Sequence, residues 1–319
     1  MKIETNLTRL LGIDLPIVQA GMSWASSNAA LPLAVSKAGG LGIIGAGPMR
    51  PEALAEAIET VRAGTDRPFA VNLPLYRKGA AEIIDLLVEK RVPVLVASQG
   101  GTRQYLDRFK AVGTICIHVV ASVEHAQKAI DAGIDALVAV GGEAGGHPPP
   151  SLVSTQVLTR AVARMTGNVP VIAAGGIVDG AGLAAALALG ASGAAFGTRF
   201  IATPEANVSD AYKRALLAAG IADTRTPGRE IGMIRTLRND FTDEMDRLEA
   251  TGASLDERRA VFAASTLKDA ALDGNVARGK LEAGQSVGLI EDIVPAGELV
   301  KRIAEEYAAA IARLPPPSQ

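Results

Sequence analysis

Val171-Ile172-Ala173-Ala174-Gly175-Gly176-Ile177, followed by Ala194-Ala195-Phe196-Gly197-Thr198-Arg199-Phe200, is the stretch whose reading decides the fold. Each half is a short, unbroken apolar run that ends in glycine. A run that is apolar at every position, rather than at every second one, suits a strand covered on both faces. Reading outward, six more such runs precede these two: Pro16–Gln19, Leu41–Ile44, Phe69–Asn72, Val94–Ala97, Ile115–Val119 and Ala136–Val140. The eight are spaced by roughly 20–35 residues, enough for a strand, a helix and two loops. Helical patterns fill the intervals. Pro51–Arg62 begins with proline, repeats apolar residues at helical spacing and has Gly64 beyond its end; Ala80–Lys90 and Ser122–Ala132 are similar, the latter opening on a serine cap. The sum predicts an α/β chain folded as a (β/α)8 TIM barrel. A doubly wound sheet fits the same periodicity, because strand order is not written in spacing.

Beyond Phe200 the pattern changes. From Glu205 to about Gln285 only helical segments are expected, so residues 1–204 read as the barrel and 205–290 as a helical insertion over its mouth. Residues 291–319 read as the last barrel helix, about Pro295 to Leu314, and a tail, Pro315–Gln319, expected to fray.

Composition narrows the function. Hydrophobic residues make up 48% of the 319, which permits a large core, but aromatics only 3%, and 34 glycines favour tight α/β turns over a β-sandwich. A net charge of −2 offers no basic footprint for nucleic acid. Neither a signal peptide nor an apolar run of membrane-spanning length is seen, which predicts a cytoplasmic protein without a membrane partner. The lone Cys116 lies in an apolar run and is expected to be a buried thiol.

In a barrel of this kind the chemistry sits at the carboxyl ends of the strands. The residues there are polar or glycine-rich: Ala20-Gly21-Met22-Ser23-Trp24, Asn72, Ser98-Gln99-Gly100-Gly101, Gly141-Gly142-Glu143-Ala144-Gly145-Gly146-His147, Gly175-Gly176 and Gly197-Thr198. Glycines let backbone N–H groups close on an anion, and a following helix N-terminus adds partial positive charge. Either glycine loop alone fits a mere tight turn; two together, after the seventh and eighth runs, predict a phosphate site. His147 follows a loop with little side-chain bulk, able to pass close to a flat ligand, and imidazole exchanges protons near neutrality. A plain exposed loop histidine is the alternative. His118 and His125 read as structural. Trp24 either walls a substrate pocket or packs under the cap. No metal-ligand spacing, Gly-x-Ser-x-Gly elbow or Walker loop is present.

Pro16–Met22, Ala34–Gly42, Glu143–His147, Ala173–Ile177, Gly197–Phe200 and Ala283–Leu289 together resemble the nitronate monooxygenase (2-nitropropane dioxygenase-like) family along essentially the whole chain. The resemblance implies an FMN-dependent barrel. It implies cofactor contacts from Ala20, Gly21, Met22, Asn72, Gln99, Glu143, Gly146, Ala174, Gly175, Gly176, Gly197, Thr198 and Gln285, with Ser23 and Trp24 in the substrate pocket. It also implies oxidation of alkyl nitronates or nitroalkanes by O2, with His147 as the catalytic base or the residue that orients the nitronate. Relatives reduce enoyl thioesters (the enoyl-acyl-carrier-protein reductase II type) or quinones with NAD(P)H, and His147 would then donate a proton. His147-Pro148-Pro149-Pro150 departs from the glycine that usually follows this motif, and its prolines stiffen the loop.

Overall fold

The computed structural model describes residues 1–315; residues 316–319 of the tail lie outside it. The strands are β1 (Ile17–Gln19), β2 (Gly42–Gly45), β3 (Phe69–Pro74), β4 (Val94–Ser98), β5 (Ile115–Val120), β6 (Ala136–Val140), β7 (Val171–Ala174), β8 (Gly193–Phe196), β9 (Thr224–Arg225) and β10 (Thr236–Leu237). The first eight form one parallel sheet in cyclic order, β1-β8-β7-β6-β5-β4-β3-β2. A parallel bridge between Val18 and Leu41 closes β2 onto β1, so this is an α/β (β/α)8 TIM barrel and not a doubly wound sheet. That seam is thin, and Gln19 reinforces it: its buried amide accepts from Ile43 N at 2.9 Å and donates to Ile43 O at 3.2 Å, standing in for ladder bonds.

The helices are α1 (Asn6–Leu11), α2 (Ala30–Lys37), α3 (Pro51–Gly64), α4 (Ala80–Glu89), α5 (Leu106–Ala111), α6 (Val123–Asp131), α7 (Thr155–Ala163), α8 (Gly180–Ala188), α9 (Thr198–Ile201), α10 (Asp210–Ala218), α11 (Asp240–Ala250), α12 (Leu255–Ala264), α13 (Leu267–Ala271) and α14 (Ala296–Ala312). Helix α14 returns to the barrel and packs on α8 and α2. Helix α1, which the sequence reading did not anticipate, packs at the amino-terminal end of the barrel. Its Leu7 and Leu11 join Val18, Ile43, Val94, Ile117, Val138 and Ile172 in the barrel interior, and Thr5 Oγ1 ties it to Ser192 O at 2.7 Å. A larger apolar layer fills the space between strands and outer helices and includes Cys116, whose burial pushes its thiol up to about 12.

The expectation of an all-helical stretch from Glu205 to Gln285 needs correction. β9 and β10 pair antiparallel there, and single bridges extend the patch from Gly146 to Arg235 and from Thr236 to Glu282. Two-residue strands are too short to leave an alternating pattern in a sequence. No described helix is long and apolar enough to cross a membrane.

Candidate active site

A cavity of about 710 Å³ opens at the carboxyl ends of the strands. Its floor carries Val18, Ile43, Val96, Val138 and Ala195 from the barrel interior, and its far wall comes from Ile201, Ile234, Phe262 and Leu267, beyond the eighth strand.

One end carries unpaired backbone donors. After β7, Gly175 and Gly176 both take positive φ, 110° and 68°, a region open to glycine and strained for other residues. After β8, Gly197 leads into the single turn of α9. Among the described residues, the amides of Gly175, Gly176, Gly197 and Thr198 donate to no protein acceptor. Four unclaimed amides in adjoining loops form a concave donor set that suits phosphate. Helix α8, which follows the Gly175-Gly176 loop, does not add its N-terminus to this set as a following helix was expected to. Asp179 caps Gly182 N at 2.8 Å and Glu306 Oε2 accepts from Gly180 N at 3.0 Å, so two carboxylates already occupy that helix end.

The loop after β6 owes its glycines to protein packing more than to a flat ligand. A side chain at Gly141 would run into Thr155, one at Gly142 would lie 2.5 Å from Leu152 O, and one at Gly145 would meet the backbone of Ala283 and Gly284 at 2.6–2.7 Å. Arg235 clamps the same loop. Its backbone exchanges bonds with Gly146, and its buried guanidinium donates to Gly142 O at 2.8 Å and to Thr224 Oγ1 at 3.0 Å. The clamp holds His147 at the cavity edge. The His147 ring makes no hydrogen bond to the described protein and is reached by solvent from the cavity. Protein packed around it and the nearby Lys280 charge hold it below the ordinary histidine value. At pH 7 it is therefore mainly the neutral base.

Comparison with known proteins gives this geometry a lineage. Residues 4–90 and 79–306 match the family model described as nitronate monooxygenase. The chain belongs to the nitronate monooxygenase family. It is an oxidoreductase of that family, whose members include flavoproteins. It is 35% identical to a (3aS,4S,5R,7aS)-5-hydroxy-7a-methyl-1-oxo-octahydro-1H-indene-4-carboxyl-CoA dehydrogenase of Mycobacterium tuberculosis, over 95% of this chain and 96% of that one. It is 33% identical to a nitronate monooxygenase of Paraburkholderia phytofirmans, over 97% and 96%. The solved structure of FabK from Thermotoga maritima superposes with a TM-score of 0.91 at 40% identity, covering 98% of each chain.

Within this family member, most of the residues singled out in the sequence meet in the cavity. Ala20, Gly21, Met22, Ser23, Trp24, Asn72, Gln99, Gly146, His147, Ala174, Gly175, Gly176, Gly197 and Thr198 all line it. Gly21 is obligatory, since a side chain there would collide with Asn72, whose amide donates to Val96 O at 3.0 Å. Trp24 and Gln99 both hold positive φ, 64° and 55°, an uncommon conformation for such residues that marks a shaped site. Glu143 and Gln285 do not line the cavity. Glu143 Oε2 accepts from Thr155 N and Thr155 Oγ1, both at 2.7 Å, and Gln285 N donates to Glu143 O at 3.0 Å, so both brace the loop from outside. Pro148, Pro149 and Pro150 are not among the lining residues either. His118 is buried with Nδ1 2.9 Å from Tyr105 Oη, and burial together with His125 lowers it to about 4, which fits a structural role.

Sequence reading passed over Tyr76, Arg77, Lys268, Lys280 and Glu282, all of which line the cavity. All five come from segments without a motif, and nothing local marked them. Lys280 stands 3.6 Å from the Phe262 ring centroid, a cation–π contact.

The Arg235 clamp is open to test. Arg235→Met leaves the Gly142 carbonyl and the Thr224 hydroxyl without their charged donor. The expected cost is about 2 kcal/mol of unfolding free energy, the usual range for a hydrogen bond to a charged group. Denaturant titration reads it directly, and a midpoint equal to wild type would show the clamp to be inert.

Proposed function

We propose that the protein is an FMN-dependent oxidoreductase acting on the acyl group of a thioester, with a nicotinamide as the other redox partner. One observation carries this reading. Three cations line the cavity: Arg77 after β3, across the barrel from the glycine cradle after β7, with Lys268 and Lys280 from the segment beyond β8. Among the described residues none of the three is in a salt bridge; Arg77 instead donates to Ala46 O and Met49 O at 2.5 and 3.1 Å. Cations outside any salt bridge, facing the cavity, suit a ligand with an anionic handle, such as the diphosphate of a coenzyme A ester or of a nicotinamide dinucleotide. The thioester named in the mycobacterial relative and the likeness to FabK support the same class.

FMN fits the residues present. The amides of Gly175, Gly176, Gly197 and Thr198 would hold its phosphate, Ala20, Gly21 and Met22 would border its ring, and the bound flavin would supply the redox chemistry. The protein's own part is to position the acyl chain among Trp24, Ile234, Phe262 and Leu267, to shut out water, and to move a proton at His147. Held neutral at pH 7, the ring accepts the proton from the carbon beside the thioester carbonyl when the chain is oxidised, and returns it in the reverse direction. The segment 205–290 acts as the cap that completes the pocket over the barrel, residues 1–204.

Nitronate oxidation with O2, the reading the resemblance put first, is the second one. The family and the Paraburkholderia relative favour it. Anaerobic mixing of the flavin-loaded protein separates the two: bleaching of the flavin by NADH or NADPH, followed by reoxidation with an enoyl-CoA, supports the thioester reading. Bleaching by propyl-2-nitronate alone overturns it. The released cofactor is expected to be FMN, since no Gly-x-Gly-x-x-Gly fingerprint follows β1 to take a dinucleotide. Heat release and chromatography decide this, and recovery of FAD would contradict the assignment.

A further inference from the structure

Glu282 is the one acidic side chain lining the cavity among the described residues. Its main chain is fixed from two sides. Its carbonyl accepts from Tyr212 Oη at 2.8 Å, and it bridges antiparallel to Thr236, with Leu237 N bonded to Leu281 O at 2.9 Å. Its side chain rests against Gly146: Oε2 lies 3.0 Å from the place a Cβ would take there, room that the glycine leaves open. A carboxylate so placed would normally be paired. This one accepts no hydrogen bond and joins no salt bridge among the described residues. Lys280 lies two residues away, on the same face of the extended chain, yet its ammonium is diverted onto the Phe262 ring. The result is a carboxyl aimed into the cavity with no protein partner. Such a group either has a ligand partner or stands as an uncompensated desolvation cost.

We propose that Glu282 selects the head group of the substrate, its carboxyl donating a hydrogen bond to a neutral carbonyl oxygen of the bound ligand. This deepens the thioester reading, on which it rests, by naming the group that meets the acyl carbonyl. Only a protonated carboxyl can donate; once ionised it accepts only, and repels the lone pairs of a carbonyl or any anionic head group. The surroundings favour the protonated form. Burial lifts Glu282 to about 7, against the opposing pull of Lys280. The other groups near it are the phenols of Tyr76 and Tyr212, both raised above their ordinary values, and His147 in the adjoining loop, lowered below its own. The phenols of Tyr76 and Tyr212 stay neutral across this range and His147 loses its proton mainly below it. His147 and Lys280, itself lowered from 10.5, both lose charge in the same sense as a carboxyl, so the assignment of the fall to Glu282 rests on the Gln variant, which leaves both in place.

The test is binding of butyryl-CoA to the flavin-loaded protein, followed by the visible flavin spectrum from about pH 6.5 to about pH 9. The variants are Glu282→Gln and Glu282→Met, with flavin content and circular dichroism as folding controls. Wild-type affinity is expected to be level at the acid end and to fall towards tenfold per pH unit above the pKa. Glu282→Gln keeps a permanent donor, so its affinity should match the acid-end wild type and lack that fall. Glu282→Met should bind about tenfold more weakly at the acid end, the loss of one hydrogen bond to a buried donor. A Gln variant that retains the wild-type fall, or a Met variant that binds as wild type at the acid end, overturns the inference and leaves the thioester reading standing. A wild-type protein that does not bind butyryl-CoA at all overturns both.

Discussion

Gly197→Asp is expected to give a folded, colourless protein. Gly197 has φ −97°, outside the left-handed region that is reserved for glycine. A Cβ there meets only Met22 Sδ at 3.8 Å and Ala20 Cβ at 3.9 Å, which is ordinary contact. The new carboxylate would stand among the unclaimed amides of Gly176, Gly197 and Thr198, in the space assigned to the phosphate. Two unit charges about 4 Å apart repel by about 4 kcal/mol at an effective dielectric near 20, a factor of about 10³ in affinity before any loss of room is counted. Gly176→Asp should also lose flavin, but it is a poorer experiment. Its φ is +68° and its Cβ would press on Glu143 Cβ at 3.1 Å, so strain and repulsion would act together. The reading is flavin absorbance per protein, with circular dichroism to show the barrel intact and Gly197→Ala as the uncharged control. Stoichiometric flavin on Gly197→Asp would move the phosphate site elsewhere.

What the sequence made legible follows from how the barrel works. Continuous apolar runs report strands buried on both faces, and the eight runs land within two residues of the eight barrel strands. The residues after them report the mouth, because strand ends in this fold converge on one face, which is why Asn72, Gln99, Gly146 and Gly176 meet across so much sequence. The errors have equally physical sources. Glu143 sits in a mouth loop but points its carboxylate into Thr155, and strand-end position does not encode side-chain direction. Glycines at 141, 142 and 145 looked like room for a ligand and prove to be room for Thr155, Leu152 and Ala283. Lys268, Lys280 and Glu282 reach the cavity from the segment beyond β8, whose placement depends on contacts such as Arg235 to Gly142. Tertiary contacts of that kind leave no period and no motif.

His147→Ala is expected to keep its flavin and lose turnover by about 10²–10⁴-fold, the range for removing a general acid or base. The flavin should stay because the imidazole bonds to nothing in the protein and follows a loop held by Arg235, Ala283 and Gly284, none of which depends on the ring. Nor is it part of the glycine cradle, which lies in the loops after β7 and β8. Turnover should fall because His147 is the lining group assigned to the carbon beside the carbonyl. Lys280, although lowered, starts from an ammonium value of 10.5, and Glu282, about half ionised at pH 7, is assigned to the carbonyl oxygen instead. The sign of the pH dependence follows. His147 is lowered from 6.5, so in the direction where it takes a proton the acid limb of the wild-type rate profile should lie below pH 6.5. That limb should vanish in His147→Ala, while the Glu282 limb near about 7 in thioester binding should remain. Flavin reduction by a nicotinamide should survive the substitution, since hydride delivery to the ring needs no proton from His147, and only the half-reaction with the acyl chain should slow. Rapid-mixing measurement of the two half-reactions separates these effects. Wild-type rates in both would make His147 a bystander and return the proton to Glu282 or Tyr76.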